Sequence, residues 1–293
     1  MEVKFSGTGV ALVTPFDSLG KIDYPAVERL VEHVITKGVD YLVVLGTTGE
    51  SVTLSKTEKI ELSEFIVTIN ASRVPIVLGV GGNNTAEIVK SFKETDMGGI
   101  DAILSVCPYY NKPNQEGIYQ HYKAISEKSP FPIILYNVPG RTGSNMCSST
   151  VLRLAKEFKN IVAVKEASGN LSQIMDIINA KPEKFMVISG DDNLTFPMIA
   201  LGASGVISVV ANAYPKQFSD MVRFISGGNV NSARKLHYEL KDFTDLLFVD
   251  GSPGGVKAAL EVMGICTQNL RLPLAPVNNQ VYQQIHDFVL NYQ

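Results

Sequence analysis

The sequence has 293 residues, 45% of them hydrophobic and 19% charged, which suits a chain with a sizeable core and excludes a disordered or fibrous one. A net charge of -3 provides no basic field for nucleic acid or an anionic membrane, and no apolar run reaches the roughly 18 residues of a membrane span. Three widely spaced cysteines, Cys107, Cys147 and Cys266, fit neither a disulfide framework nor a zinc site, and residues 1–9 lack an apolar signal core, so a cytoplasmic protein with reduced thiols is expected.

Eight short apolar runs follow one another, at residues 10–14, 41–45, 75–80, 102–106, 132–136, 161–164, 186–189 and 206–210. Each is rich in Val, Ile and Leu and apolar throughout rather than alternating, the pattern of strands buried on both faces of a parallel sheet. The stretches between them have helical spacing. Ala26, Leu30, Val31 and Val34 share a face opposite Glu28, Arg29 and Glu32. Ile60, Leu62, Phe65, Ile66 and Ile69 make a second amphipathic segment, opened by Ser55 and Glu58 as a capping box.

Strand and helix alternating through eight runs predict a closed (β/α)8 TIM barrel. The alternative, an open doubly wound sheet, wants a nucleotide fingerprint. Gly79-Val-Gly-Gly-Asn-Asn84 carries part of one but lacks the third glycine at the required spacing, and it reads as a tight turn after the third strand. From Asn229 the pattern is helical, over residues 230–248, 256–263 and 281–290, with Pro253, Pro273 and Pro276 at the joins. The expected organisation is a catalytic barrel at residues 1–228 with a small C-terminal all-helical extension at 229–293.

A barrel of this kind gathers its active site at the carboxyl ends of the strands. Gly46-Thr-Thr-Gly-Glu-Ser51 follows the second run, Pro108-Tyr-Tyr-Asn111 the fourth, and Tyr136-Asn-Val-Pro-Gly-Arg-Thr-Gly143 closes the fifth. Lys165-Glu166 ends the sixth run and Gly190-Asp-Asp192 the seventh, while the eighth passes through Ile207. Lys165 is the most informative residue, because it continues an unbroken buried run. Burial disfavours an ammonium and frees an amine that can attack a ketone. The competing reading is an ion pair with Glu166. Thr47, Thr48, Tyr110 and Tyr136 could move protons or hold a carboxylate, or else cap turns and fill the core. Arg141 is suited to a two-pronged grip on a carboxylate. His33, His121, His237 and His286 form no metal-ligand pattern. Asp191 and Asp192 are adjacent, which on a strand turns them to opposite sides and away from a shared ion.

Together these motifs, with Val164-Lys-Glu-Ala167 and the Ser168-Gly-Asn-Leu171 that follows, resemble the dihydrodipicolinate synthase family. The likeness runs from Val10-Ala-Leu-Val-Thr-Pro15 to Leu270-Arg-Leu-Pro273. It implies a lyase that condenses pyruvate with L-aspartate 4-semialdehyde, the first committed step of the diaminopimelate route to lysine. Lys165 would form a Schiff base with pyruvate, and Thr47, Tyr136 and Tyr110 would relay protons, Tyr110 reaching in from a neighbouring subunit. Thr48 would hold the pyruvate carboxylate and Arg141 that of the aldehyde, with the backbone near Gly190 and Ile207 lining the pocket. The resemblance further implies no metal or organic cofactor and a homotetramer built as a dimer of dimers. N-acetylneuraminate lyase and keto-deoxy sugar acid aldolases share the barrel, the Gly-Thr-Thr-Gly-Glu segment, the tyrosine and the lysine, and Arg141 is what separates this chain from them. A non-catalytic barrel used as a sensor would lack Lys165, Tyr136 or Tyr110, and all three are here.

Many family members are inhibited by lysine. Ser51, Leu54, Asn83, Glu87 and Tyr109 fall where that allosteric site would be, and Lys56 and Lys59 stand where strongly inhibited members carry histidines. Two cations beside a cationic effector imply weak or absent feedback.

Overall fold

The computed structural model describes residues 5–94 and 98–292, without the side chains of 93 and 94. Its eight parallel strands close into a barrel in sequence order. They are β1 (Gly7–Ala11), β2 (Tyr41–Val44), β3 (Ile76–Gly79), β4 (Ala102–Val106), β5 (Ile133–Asn137), β6 (Ile161–Glu166), β7 (Met186–Ser189) and β8 (Gly205–Ser208), with β8 pairing back onto β1. Between and around them lie α1 (Tyr24–Thr36), α2 (Lys56–Asn70), α3 (Thr85–Glu94), α4 (Gln115–Ser126), α5 (Pro139–Thr142), α6 (Ser148–Glu157), α7 (Leu171–Ala180), α8 (Thr195–Ala200) and α9 (Pro215–Ser226). Three further helices, α10 (Val230–Val249), α11 (Gly254–Val262) and α12 (Asn279–Asn291), complete the chain. Among the described residues no helix is long and apolar enough to cross a membrane.

All eight expected strands are present; β4 and β7 match their apolar runs, β2, β3 and β5 differ by a residue at one or both ends, and β1, β6 and β8 differ for identifiable reasons. The first apolar run is offset from the strand it marks, because β1 begins at Gly7 and contains Gly9, which carry no hydrophobic signal. A Cβ on Gly9 would lie 2.2 Å from the Tyr41 ring, so the glycine is the space that the tyrosine fills inside the barrel. Similarly, β8 begins at Gly205, where a Cβ would meet the Gly7 carbonyl oxygen at 2.1 Å. Only a glycine lets the closing strands approach this closely. In contrast, β6 extends beyond its apolar run to include Lys165 and Glu166.

The core has two shells. Alternate strand residues, among them Val43, Leu104, Ile134, Ala163 and Ile188, fill the barrel interior, while the other alternates face the helices. The helical face read from residues 26–34 is the one α1 buries. At the start of α2, the Ser55 hydroxyl accepts from the Glu58 N–H at 3.2 Å and Glu58 accepts from the Ser55 N–H at 2.8 Å, a complete capping box. Ring contacts fasten the last helices to the barrel: Phe243 of α10 stacks on Phe288 of α12 at 4.9 Å and meets Tyr214, which precedes α9, edge-on at 4.9 Å.

The segment between α11 and α12 turns back to the barrel through Arg271. Its guanidinium grips Glu58 in a fork, at 3.0 and 2.5 Å, donates to the Gly20 carbonyl at 2.8 Å, and lies 4.5 Å above the Phe16 ring. Hydrogen bonding to Arg271 pulls the Glu58 carboxyl down to about 2 from its ordinary 4.5. A carboxyl whose pKa is depressed by folding stabilises the fold above its unfolded value and loses that contribution as pH falls toward its folded value. Glu58 is partly exposed, so solvent screening holds the effect to about 1 kcal/mol. The expected result is a thermal midpoint that declines as pH drops from 4.5 toward 2, with a shallower decline in Glu58→Gln; calorimetry across that interval measures both.

Candidate active site

Lys165 owes its position to strand alternation. On β6, Ala163 and Lys165 point into the barrel, while Val164 and Glu166 point out. Lys165 is paired in register with Tyr136 of β5 and Ile188 of β7. Its side chain is 6% exposed, and its Nζ lies 4.4 Å from the centre of the Tyr136 ring. The ion pair with Glu166 does not form. Glu166 faces outward and accepts from Asn137 Nδ2 at 2.8 Å, Ser168 Oγ at 2.6 Å and Gln173 Nε2 at 3.2 Å. Burial pushes the Glu166 carboxyl up, and these donors act against the rise. Gly190, just past β7, makes room for the lysine stem, since a Cβ there would lie 2.9 Å from Lys165 Cε and 2.8 Å from Ala167 Cβ.

The two threonines are set by a sharp exit from β2. Leu45 takes a positive φ of 58°, and its carbonyl oxygen would lie 2.2 Å from a Cβ on Gly79, so the glycine of β3 is what admits the turn. A short 3-10 turn, Thr47–Gly49, follows, with Thr48 buried and Thr47 exposed. Thr14 Oγ1 donates to the Gly49 carbonyl at 2.6 Å, and the turn ends on Glu50 at φ 52°.

Glu50 is the anchor. One carboxylate oxygen lies 2.5 Å from Lys257 Nζ of α11 and the other accepts from the Arg271 N–H at 3.1 Å. Lys257 also donates to the Asn269 carbonyl at 2.8 Å and sits 4.3 Å from the Phe16 ring centre. Neither charged side chain has any exposed surface. Burial pushes the Lys257 ammonium down, with Glu50 opposing the shift. Sequence reading missed this pair, which spans 207 positions. The available signal was a lysine set between Val256 and Ala258 in the apolar stretch that opens α11.

Thr47, Thr48, Tyr136, Arg141, Lys165 and Gly190 together line one cavity of about 510 Å³. Ile207 is buried in the barrel interior, and Val209 takes part in the lining in its place. Tyr110 is not in this wall. Its side chain is 88% exposed, with φ 73°, and its N–H donates to Thr142 O at 3.3 Å beside Arg141. Asp191 and Asp192 lie past the end of β7 rather than on a strand and both line the cavity, with different partners: Asp191 accepts from the N–H groups of Asn193 and Leu194, while Asp192 accepts from those of Val209 and Val210 at 2.9 and 3.0 Å. Burial raises the Asp192 carboxyl to about 6. Lys56, Lys59, Asn83 and Glu87 line a separate groove of about 560 Å³ beside α2 and α3. Ser51, Lys59 and Tyr109 line a third cavity, which shares Thr47, Tyr136 and Arg141 with the first, and Leu54 is buried.

A lysine and a tyrosine thus face each other at the mouth of a closed barrel, with threonines and an arginine on the same cavity wall. The model of the dihydrodipicolinate synthetase family matches residues 4–291. The chain belongs to that family. A 4-hydroxy-tetrahydrodipicolinate synthase of Parabacteroides distasonis is 54% identical, over 98% of this chain and 96% of its own. The crystal structure of dihydrodipicolinate synthase from Aquifex aeolicus superposes with a TM-score of 0.95 at 41% identity, over 98% of both chains. The chloride-inhibited enzyme from Acinetobacter baumannii, complexed with pyruvate, superposes with a TM-score of 0.94 at 40% identity, also over 98% of both.

The buried pair yields a stability prediction. Lys257→Met leaves Glu50 charged, buried and unmatched, and is expected to cost about 3–5 kcal/mol, whereas replacing both residues with apolar ones recovers much of the loss. Denaturant unfolding of the single and double variants measures the difference; equal losses would show that the pair is not what binds α11 to the threonine turn.

Proposed function

We propose that the chain is a 4-hydroxy-tetrahydrodipicolinate synthase that joins pyruvate to L-aspartate 4-semialdehyde through a Schiff base on Lys165. The observation that carries the reading is Lys165 itself: buried at the barrel mouth, facing Tyr136 and away from its neighbouring carboxylate. The Lys165 amine attacks the ketone carbon of pyruvate, and loss of water leaves an imine. Removal of a methyl proton turns the imine into an enamine, whose carbon bonds to the aldehyde carbon of the second substrate. The amino group of that substrate then attacks the imine carbon, closes the ring and displaces Lys165.

Thr48 holds the pyruvate carboxylate beneath this chemistry, and Arg141 holds the carboxylate of the aldehyde at the rim. Tyr136 and Thr47 pass protons at the imine, with Tyr110 as the third member of the relay. An exposed tyrosine whose backbone is tied to the Arg141 turn suits delivery into a second subunit, so the active unit is at least a homodimer, and a homotetramer repeats that contact. The setting is the cytoplasm, in the diaminopimelate route to lysine. An N-acetylneuraminate lyase or sugar-acid aldolase would use the same lysine and tyrosine, and Arg141 on the cavity wall favours the substrate with a second carboxylate.

Turnover of pyruvate with L-aspartate 4-semialdehyde, coupled to an NADPH-dependent reductase, tests the reading directly. Lys165→Ala is expected to lose orders of magnitude in kcat, and Arg141→Ala to raise KM for the aldehyde while borohydride still traps pyruvate. A silent wild type that traps pyruvate would move the assignment to sugar acids. The cations Lys56 and Lys59 predict that free lysine inhibits weakly, and inhibition at sub-millimolar lysine would refute that expectation.

A further inference from the structure

The strand ends form only part of the wall around Lys165. The last turn of α10 supplies Asp245, Phe248 and Val249, with Ser252 just beyond it. Phe248 and Val249 are 41% and 65% exposed, which places apolar surface on the same cavity wall as Arg141, Asp191 and Asn193.

This turn is held from both sides. Asp245 Oδ1 accepts from Asn193 Nδ2 at 2.7 Å, and Asp245 Oδ2 from Lys241 Nζ at 2.6 Å. Asn193 is itself fixed, its N–H donating to Asp191 Oδ1 at 3.0 Å. Beyond the helix, Asp250 Oδ2 accepts from the Asn278 N–H at 2.7 Å and from its side-chain amide at 2.9 Å. The loop that carries Gly190 beside Lys165 and the helix that completes the cavity are therefore joined by the Asn193–Asp245 hydrogen bond.

A ketone bound to Lys165 occupies the floor near Tyr136. A second substrate must come from the open side, where Arg141 and the last turn of α10 both line the cavity, so a chain that reaches past the Arg141 grip meets α10. Phe248 and Val249 offer no partner to a hydroxyl or a charge, so a polar chain long enough to lie against them gives up water on that side without compensation. We propose that the last turn of α10 limits the length of the second substrate, with Phe248 and Val249 as the apolar stop and Asp245 as the positioning residue that holds them over the cavity. The proposal rests on the reading that an aldehyde condenses with pyruvate at Lys165.

The test compares kcat/KM for condensation of pyruvate with L-aspartate 4-semialdehyde, D-erythrose and D-arabinose in the wild type, Phe248→Ala, Val249→Ala, Asp245→Ala and Asp245→Asn. Borohydride trapping of pyruvate on every variant reports whether the barrel and its lysine are intact. Removing an apolar stop is expected to raise the five-carbon to four-carbon ratio roughly ten-fold, through KM for the longer aldehyde. Asp245→Ala should move the ratio in the same direction. Asp245→Asn, which keeps an acceptor for Asn193, should stay near the wild type. Should Phe248→Ala lose trapping, the ratio in the more exposed Val249→Ala decides between stop and no stop. Ratios that stay constant while trapping is retained overturn the proposal, and so does a shift in Asp245→Asn as large as in Asp245→Ala. If the wild type ignores L-aspartate 4-semialdehyde yet condenses the sugars, the proposed function falls, and the stop is still judged from D-erythrose against D-arabinose. If no aldehyde condenses, both fall.

Discussion

The ion pair between Glu50 and Lys257 is the contact on which the rest of the site depends. Two charges without exposed surface, 2.5 Å apart, are tolerable only as a pair. Neither can be reached by water in place of the other, so the threonine turn and α11 are fixed together. Arg271 extends the link, its backbone N–H reaching Glu50 and its guanidinium reaching Glu58. The helices after β8 thus hold the turn that brings Thr47 and Thr48 to the cavity.

Two buried lysines in one chain show how surroundings divide structure from chemistry. Lys257 has a carboxylate and a carbonyl within 2.8 Å, which satisfy an ammonium and occupy its donors. Lys165 faces an aromatic ring and a cavity. A ring face attracts a cation weakly beside a carboxylate, so the Lys165 side chain is not tied up in an ion pair and its end faces the cavity. Glu166, the one carboxylate adjacent in sequence, is turned away by strand alternation and held there by Asn137, Ser168 and Gln173. The same alternation that buries Lys165 denies it a counter-ion.

Local chemistry was legible where it is periodic. Apolar runs marked the strands, and helical spacing marked the buried face of α1. The rim residues followed from the rule that barrel chemistry sits at strand ends. What escaped reading is what the chain makes by folding back on itself. The start of β1 was hidden because its packing partner is an absent side chain, Gly9 against Tyr41. The Glu50–Lys257 pair and the α10 wall join residues far apart in sequence, with no local pattern to announce them. Tyr110 is a different case: its place in the chain was plain, but its side chain is 88% exposed and lies outside the cavity wall that holds Lys165.

The distribution of constraint around the cavity follows from these contacts. Beneath Lys165 everything is strand, packed on both faces, and Gly190 leaves only the width of a lysine stem. The rim is made of loops, each fastened once or twice: the threonine turn by Glu50, the Arg141 turn by the Thr142 hydroxyl that donates to Ser144 O at 2.8 Å, the β7 loop by Asp192 and Asn193. A rigid floor fixes Lys165, and the proposed reaction needs its amine in one position for every substrate. A rim held by a few polar contacts can change its residues without disturbing the barrel. In the proposed reaction, that separation keeps Lys165 and Tyr136 on the fixed floor and leaves the choice of electrophile to the rim, where Arg141 and the last turn of α10 line the cavity.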